Sequence, residues 1–144
     1  SSDFIPFAAL RDLPLAMTSH IVVSALDADW PVTLSAAAIT YLRETLGLSG
    51  LLMTDDIAMG ALRMPLGERV TGALGAGCDV ILHCNGDAAE MELVASHTPE
   101  LAGAAADRAQ AALDDRDRMV PQWVPIPELL EQLKTLQTEV NHAR

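Results

Sequence analysis

Two adjacent carboxylates, Asp55 and Asp56, follow a short apolar run and are the residues best placed to do chemistry. A carboxylate aimed at a ligand can act as a nucleophile, hold a metal ion or accept a phosphoryl group. The structural alternative for such a pair is a helix N-cap followed by a solvated acid. The choice between these roles depends on the elements that position the two side chains.

The sequence around the pair predicts short strands that alternate with helices. Three apolar, β-branched runs bounded by proline, glycine or acidic residues predict strands over 15–23, 51–54 and 79–84. Helical spacing and caps predict helices over 36–46, 68–74, 88–96, 100–115 and 128–142. The strands recur roughly every 30 residues, which is the length of a βαβ unit and predicts a parallel sheet. The carboxyl ends of parallel strands carry the functional groups, which places Asp55 and Asp56 at that edge.

The composition restricts the class of protein. Of 144 residues, 50% are hydrophobic and the formal net charge is −11, with Lys134 as the single lysine. This charge argues against a nucleic-acid surface, which needs clustered lysine and arginine. No apolar run approaches the roughly 18 residues of a membrane span, so no membrane association is expected. Two cysteines make no disulfide framework, which fits a reducing compartment.

The run 50–59, GLLMTDDIAM, resembles the nucleophile segment of family 3 glycoside hydrolases. The resemblance is to the bacterial β-N-acetylhexosaminidases of peptidoglycan recycling in particular. It extends in several blocks over about residues 3 to 95, in the order and spacing of that family. The further blocks lie at 3–10, 17–21, 31–35, 42–47 and 76–82.

This resemblance implies a fold and a reaction. Residues 1–119 are expected to be parallel βα units from the C-terminal part of a (β/α)₈ barrel, and residues 120–144 a C-terminal helical extension. Asp55 is implied to be the nucleophile of a retaining hydrolase, which forms a covalent glycosyl-enzyme that water then releases. The implied substrate is a terminal β-linked N-acetylglucosamine on a peptidoglycan fragment, in the cytoplasm, with no metal or organic cofactor.

The other half of that reaction is not found in the sequence. The family's acid/base is a histidine on a mobile loop, and none of the four histidines here has that context. The family's sugar-gripping residues are also not matched. We therefore expect the chain to hydrolyse nothing by itself. We also expect association with a partner that carries a missing half-barrel, or self-association, because unpaired strand edges are an aggregation liability.

Two further residues are candidates for substrate binding, each with a structural alternative. His20 is predicted on the first strand, where it could contact the site near Asp55 or be a satisfied core histidine. Met59 follows the acidic pair and could line the sugar site or simply pack the loop. The adjacent His83 and Cys84 are not expected to form a metal pair, since neighbouring strand residues point to opposite faces.

Two alternative functions remain open at this stage. The first is a receiver-like α/β module, in which an acidic pair binds Mg²⁺ and one aspartate accepts phosphate. That scheme needs a lysine at a later strand end, whereas Lys134 is predicted inside an amphipathic helix. The second is a non-catalytic half-barrel that is retained for assembly.

Overall fold

A computed structural model describes residues 2–120 and 125–142 of the chain. Three short strands alternate with helices, as the sequence predicts. The strands are β1 (Leu15–Met17), β2 (Leu51–Asp56) and β3 (Val80–Leu82). The α-helices are α1 (Ile5–Ala9), α2 (Ala36–Thr40), α3 (Leu66–Ala76), α4 (Ala88–Ser96), α5 (Gly103–Arg118) and α6 (Ile126–His142). Short 3₁₀ turns cover Ser2–Phe4 and Val32–Leu34, and a π-helical turn, Tyr41–Thr45, continues α2.

The strands form one parallel sheet in the order β1-β2-β3, so each strand lies beside its neighbour in sequence. Leu15 pairs with Leu51 and Met17 with Met53, while Met53 also pairs with Val80 on the other side. The register of β2 and β3 shifts between Met53 and Asp56, so β2 is irregular just where the acidic pair lies. The predicted α/β fold with parallel strands is confirmed.

Helices α2 and α3 cover one face of the sheet. Successive strand residues point to opposite faces, and the fully buried Leu52 and Thr54 lie on the helix-covered side. Ile39 of α2 and Val70 of α3 pack into the same apolar cluster as Leu52. Met53 and Asp55 therefore project from the opposite face, and both are only partly buried.

Glycines allow the close packing of these layers. A Cβ on Gly50 would lie 2.4 Å from the carbonyl oxygen of Leu13, so only glycine lets the start of β2 approach the chain before β1. Gly77 ends α3 with φ of +114°, and a Cβ there would lie 2.9 Å from Ile39. Both positions set the distance between neighbouring elements.

The first strand is much shorter than the predicted span 15–23, which was wrong beyond Met17. The amide of Thr18 still bonds to the carbonyl of Met53, but the chain then leaves the sheet. The carbonyls of Ser19 and Ile21 instead accept hydrogen bonds from the amides of Thr33 and Val32. His20 consequently lies in the loop after β1 and not on the strand.

The helices after β1 match the predicted positions within a few residues. Helix α2 is shorter than predicted, because the chain widens into the π-helical turn in which the amide of Leu46 bonds to the carbonyl of Tyr41. The apolar side chains of α6 are about half exposed in the described part of the chain. Residues 121–124, which precede α6, lie outside the described residues. Among the described helices, none combines the length and the apolar character that crossing a membrane requires.

Candidate active site

Asp55 is the second-to-last residue of β2, and its carboxylate makes few contacts. Its Oδ1 accepts a hydrogen bond from the amide of Asp56 at 2.8 Å. No residue in the described part of the chain is recorded as donating to Oδ2. The strand therefore presents one carboxylate oxygen outward from a fixed backbone, as a group that reacts with a ligand requires.

Asp56 stabilises the backbone at the same strand end. Its Oδ1 accepts hydrogen bonds from the amide of Ala58 at 3.1 Å and from the amide of Cys84 at 3.2 Å. The first bond closes the turn that follows β2, and the second ties that turn to the segment after β3. The neighbouring acids thus differ in function: the Asp56 side chain organises the backbone, and that of Asp55 is left accessible.

His20 holds the backbone beside the acidic pair. Its Nε2 lies 2.9 Å from the carbonyl oxygen of Asp56, so this nitrogen must be the donor. Its Nδ1 lies 2.8 Å from the hydroxyl of Thr33, which is itself 2.8 Å from the hydroxyl of Thr18. Both ring nitrogens are therefore occupied by the protein, and the histidine bridges the loop after β1 to the end of β2.

The loop that carries Met59 is organised by an arginine that the sequence reasoning did not single out. Arg69 of α3 donates from Nε to the carbonyl of Met64 at 2.7 Å. Its Nη1 donates to the carbonyls of Ile57 at 3.0 Å and Met59 at 3.2 Å. The Met59 side chain is 44% exposed, which leaves it available beside the site. Arg69 lies 13 positions after Asp56, and no local pattern links the two, so only the fold reveals this arrangement.

The end of β3 carries a polar cluster that packs onto α4. The nearly buried His83 side chain has its Nε2 3.0 Å from Oε2 of Glu90, and Asn85 donates to the same oxygen. These bonds, that from His83 first, hold the pKa of Glu90 below its usual range. His83 thus packs toward the helix, while Cys84 is exposed. No group of three metal-binding side chains is found among residues 2–120 and 125–142.

A second carboxylate network lies at the opposite end of the sheet, just before β3. Asp79 is buried and accepts hydrogen bonds at Oδ2 from Arg43 at 2.7 Å, Arg108 at 2.9 Å and the Leu52 amide at 2.8 Å. Arg108 also donates to Oδ1. Burial by itself would raise the pKa of Asp79, but the hydrogen bonds from Arg108 and Leu52 and the charges of both arginines outweigh it and lower the pKa.

Arg43 extends this network to the start of β2. Its Nη1 donates to the carbonyls of Leu48 at 3.0 Å and Gly50 at 2.6 Å. The π-helical turn therefore places one guanidinium against both the loop before β2 and the carboxylate of Asp79. This network fixes β2, α5 and the π-helical turn to one another.

The family model described as the glycosyl hydrolase family 3 N terminal domain matches residues 1–120 of the chain. The chain belongs to glycosyl hydrolase family 3. The resemblance found around the acidic pair is thereby confirmed, and the receiver-like alternative loses its support. Lys134, which that alternative would have needed at a strand end, lies in α6 near Glu131.

The curated relatives are bacterial β-hexosaminidases. The enzyme of Alkalilimnicola ehrlichii is 38% identical over 104 residues, which cover 69% of this chain and 29% of the relative. The enzyme of Bordetella parapertussis is 32% identical over 131 residues, which cover 84% of this chain and 33% of the relative. The chain thus spans about a third of the length of the curated relatives that it matches.

Solved structures of the family show the same fold. The β-N-acetylhexosaminidase of Beutenbergia cavernae matches with a TM-score of 0.60 and 29% identity, covering 77% of this chain and 36% of that one. The family 3 β-N-acetylglucosaminidase of Paenibacillus sp. strain FPU-7 matches with a TM-score of 0.63 and 28% identity, covering 84% and 26%. These structures support the parallel α/β arrangement described above.

Proposed function

We propose that this chain supplies the nucleophile of a retaining β-N-acetylhexosaminidase, with Asp55 as the attacking carboxylate. The observation that carries the proposal is the position of Asp55 at the end of β2, with one backbone hydrogen bond and one unengaged oxygen. The membership of the chain in family 3 and its similarity to β-hexosaminidases support this chemistry. Membership alone does not separate an enzyme from a non-catalytic homologue, so the test addresses Asp55 itself.

In the proposed reaction, an Asp55 oxygen attacks the anomeric carbon of a terminal β-linked N-acetylglucosamine. The bond from that carbon to the leaving oxygen breaks, and an acid protonates the leaving oxygen. Water then attacks the glycosyl ester and returns the carboxylate of Asp55, which gives net retention of configuration. His20 and Asp56 position Asp55 through the backbone, and Met59 borders the sugar from the following loop.

We propose that the proton donor comes from outside these 144 residues. Of the described histidines near the acidic pair, His20 is engaged at both ring nitrogens. His83 bonds to Glu90 through Nε2, and its Nδ1 is buried and has no partner among the described residues. Neither histidine therefore presents an exposed ring nitrogen to a leaving oxygen at Asp55. The substrate is proposed to be a peptidoglycan fragment in the cytoplasm, in line with the resemblance of the run 50–59.

We also propose that the strands are part of a closed βα barrel completed by another segment or chain. The order β1-β2-β3 is the neighbour-to-neighbour order of such a barrel. On the open face, Leu15 is 46% and Met17 is 53% exposed, although both lie on a strand. Apolar strand residues of this kind are normally covered, either by the rest of a barrel or by a second copy. Light scattering that shows a clean monomer would count against this part of the proposal.

Two assays test the function. The chain alone, given a chromogenic β-N-acetylglucosaminide, is expected to release no chromophore. A chimera in which this chain replaces the matched portion of the Alkalilimnicola ehrlichii enzyme is expected to hydrolyse the same compound. Activity of the isolated chain that disappears in Asp55→Ala would contradict the proposed external acid. A folded but inactive chimera, with the circular dichroism of the parent enzyme, would contradict the catalytic role.

A further inference from the structure

Helix α6 lies beyond residues 1–120, which the family model matches, and the proposed reaction does not use it. Pro127 lies in its first turn, where the missing amide costs no helical hydrogen bond. Every side chain from 126 to 138 is exposed, so this stretch leaves no side chain buried against the rest of the described chain. Because an isolated helix of 17 residues is marginally stable in water, we expect α6 to bury one face against a partner surface.

The apolar residues of α6 recur with the spacing of a coiled coil. Alternating intervals of three and four residues separate Ile126, Leu129, Leu133, Leu136 and Val140. Among those whose side chains are described, the exposed fraction ranges from 48% at Leu129 to 71% at Ile126. We call these five positions the α6 seam. A seam of this regularity is typical of a helix that packs lengthwise against another helix.

The residue types in the α6 seam favour pairing with one further helix. In heptad notation, Ile126, Leu133 and Val140 take position a, and Leu129 and Leu136 take position d. β-Branched residues at position a with leucine at position d favour parallel dimers over trimers, and two of the three a residues are β-branched. A second copy of the chain presents the same seam in the same register, which satisfies the self-complementarity of a two-fold dimer.

The charges of α6 are placed so that two copies of this acidic chain can approach along the seam. The outer positions b, c and f carry the charged residues Glu128, Glu131 and Lys134. The flanking positions that meet across a parallel pair carry uncharged amides, Gln132 at g and Gln137 at e. In the sequence, the next flanking pair has opposite charges, Glu139 at g and Arg144 at e. Although each chain has a net charge of −11, these pairings place no like charges across the seam.

We propose that α6 binds a second copy of this chain by forming a parallel two-stranded coiled coil along the α6 seam. This dimer is independent of the chemistry at Asp55. It also uses none of the strand residues, such as Leu15 and Met17, that a completed barrel would cover. The 17 residues of α6 supply between two and three heptads, so the association is reversible and is expected at micromolar chain concentrations.

Analytical ultracentrifugation of the full chain tests the dimer. The wild-type chain is expected to show a reversible equilibrium of monomer and dimer across micromolar concentrations. Leu133→Glu places a charge at the central a position and should raise the dissociation constant at least about tenfold. Thr135→Glu is the matched control, because it adds the same charge at an exposed outer position, and it should leave dimerisation unchanged.

Charge pairing between two variants tests the register. In a parallel, in-register coiled coil, position 133 of one copy meets position 133 of the other. Leu133→Glu and Leu133→Lys should each dimerise weakly alone, and an equimolar mixture should associate at least about tenfold more tightly than either variant. The mixture also controls for folding, because copies that had lost α6 could not recover association on mixing.

Several results would overturn the coiled coil. These are a chain that stays monomeric throughout, equal effects of Leu133→Glu and Thr135→Glu, and a mixture of the position-133 variants that associates no better than its components. An association that Leu133→Glu leaves intact would place the contact elsewhere, such as at Leu15 and Met17, and would also overturn it. None of these results bears on the nucleophile, which is tested by hydrolysis in the chimera.

Discussion

Aspartate residues at the two ends of β2 and β3 have contrasting surroundings. At the carboxyl end, Asp55 is partly exposed, and among residues 2–120 and 125–142 its carboxylate accepts one hydrogen bond, from the amide of Asp56. At the amino end, Asp79 is buried and accepts bonds from two arginines and the amide of Leu52. The same side chain is thus satisfied where it stabilises the fold and left accessible where it can react.

This difference follows from the geometry of parallel strands. The amino ends face the returning helices. Side chains from the π-helical turn and from α5 can therefore reach Asp79. The carboxyl ends lead into loops. Within the described part of the chain, backbone amides bond to the carboxylates of Asp55 and Asp56, and His20 bonds to the Asp56 carbonyl. Mutations at the two ends should therefore separate activity from stability.

The largest expected effect is the loss of activity in the Asp55→Asn variant. In the chimera, this change should lower hydrolysis by at least about a thousandfold, because an amide cannot form the glycosyl ester. Stability to urea should stay close to that of the parent chimera, since an amide oxygen can still accept the Asp56 amide. Retention of most of the activity would contradict the role of Asp55 as nucleophile. Loss of activity together with stability would contradict the separation of activity from stability at the two strand ends.

Asp79→Asn should have the converse effect on stability. Removing the charge leaves Arg43 and Arg108 without their carboxylate, and the cost should be about 3 kcal/mol, at the low end for buried pairs because both arginines touch water. Urea unfolding of the chain, with Asp55→Asn as the matched variant, measures the difference. Equal unfolding midpoints for the two variants would contradict the structural role of Asp79.

Acid should remove the contribution of Asp79 to stability. The lowered pKa of Asp79 means that its contribution is complete above the unfolded value of about 3.9 and is lost as the pH falls through the lower folded value. The pKa of Asp27 is lowered chiefly by the hydrogen bond from Ser35, and that of Glu90 chiefly by the hydrogen bond from His83. Protonation of these two carboxylates therefore also reduces stability in acid. Stability curves of wild type and Asp79→Asn should therefore converge as the pH drops below 4. Parallel curves would refute this assignment.

The smallest expected effect concerns the two thiols, one at each end. Burial is the leading cause that raises the pKa of Cys78, next to Asp79, to about 11, whereas Cys84 after β3 is exposed. A thiol reagent near neutral pH should label Cys84 rapidly and Cys78 only on unfolding. Asp79→Asn should accelerate the labelling of Cys78. Two equally fast thiols would show that the amino end is not packed as described.

Local sequence pattern bears on the carboxyl end of the strands more than on the amino end. Asp55 follows a recognisable apolar run and lies within a family motif, so the pattern is enough to predict it as a candidate nucleophile. Arg43, Asp79 and Arg108 are 29 or more positions apart and meet only through the fold, and no local pattern links them. From β1 onward, the order and type of the strands and helices are predicted correctly, because periodicity and caps act locally.

Long-range pairing explains the main error in the predicted elements. Residues Ile21, Val22 and Val23 have β-branched side chains, and their propensity favours a strand. The sheet ends earlier because the loop carbonyls bond to the amides of Val32 and Thr33. The position of His20 in a bridge between loops could not be predicted for the same reason, since its partners are 13 and 36 residues away.

The most direct test of the central claim is to trap the covalent intermediate and locate it. An activated, fluorinated β-N-acetylglucosaminide whose glycosyl ester forms quickly and hydrolyses slowly is incubated with the chimera, which is then digested and analysed by mass spectrometry. The account predicts one added glycosyl group on the peptide that contains Asp55, and none in Asp55→Asn. A glycosyl group on Asp56 or any other residue, or no adduct from an active chimera, would contradict it.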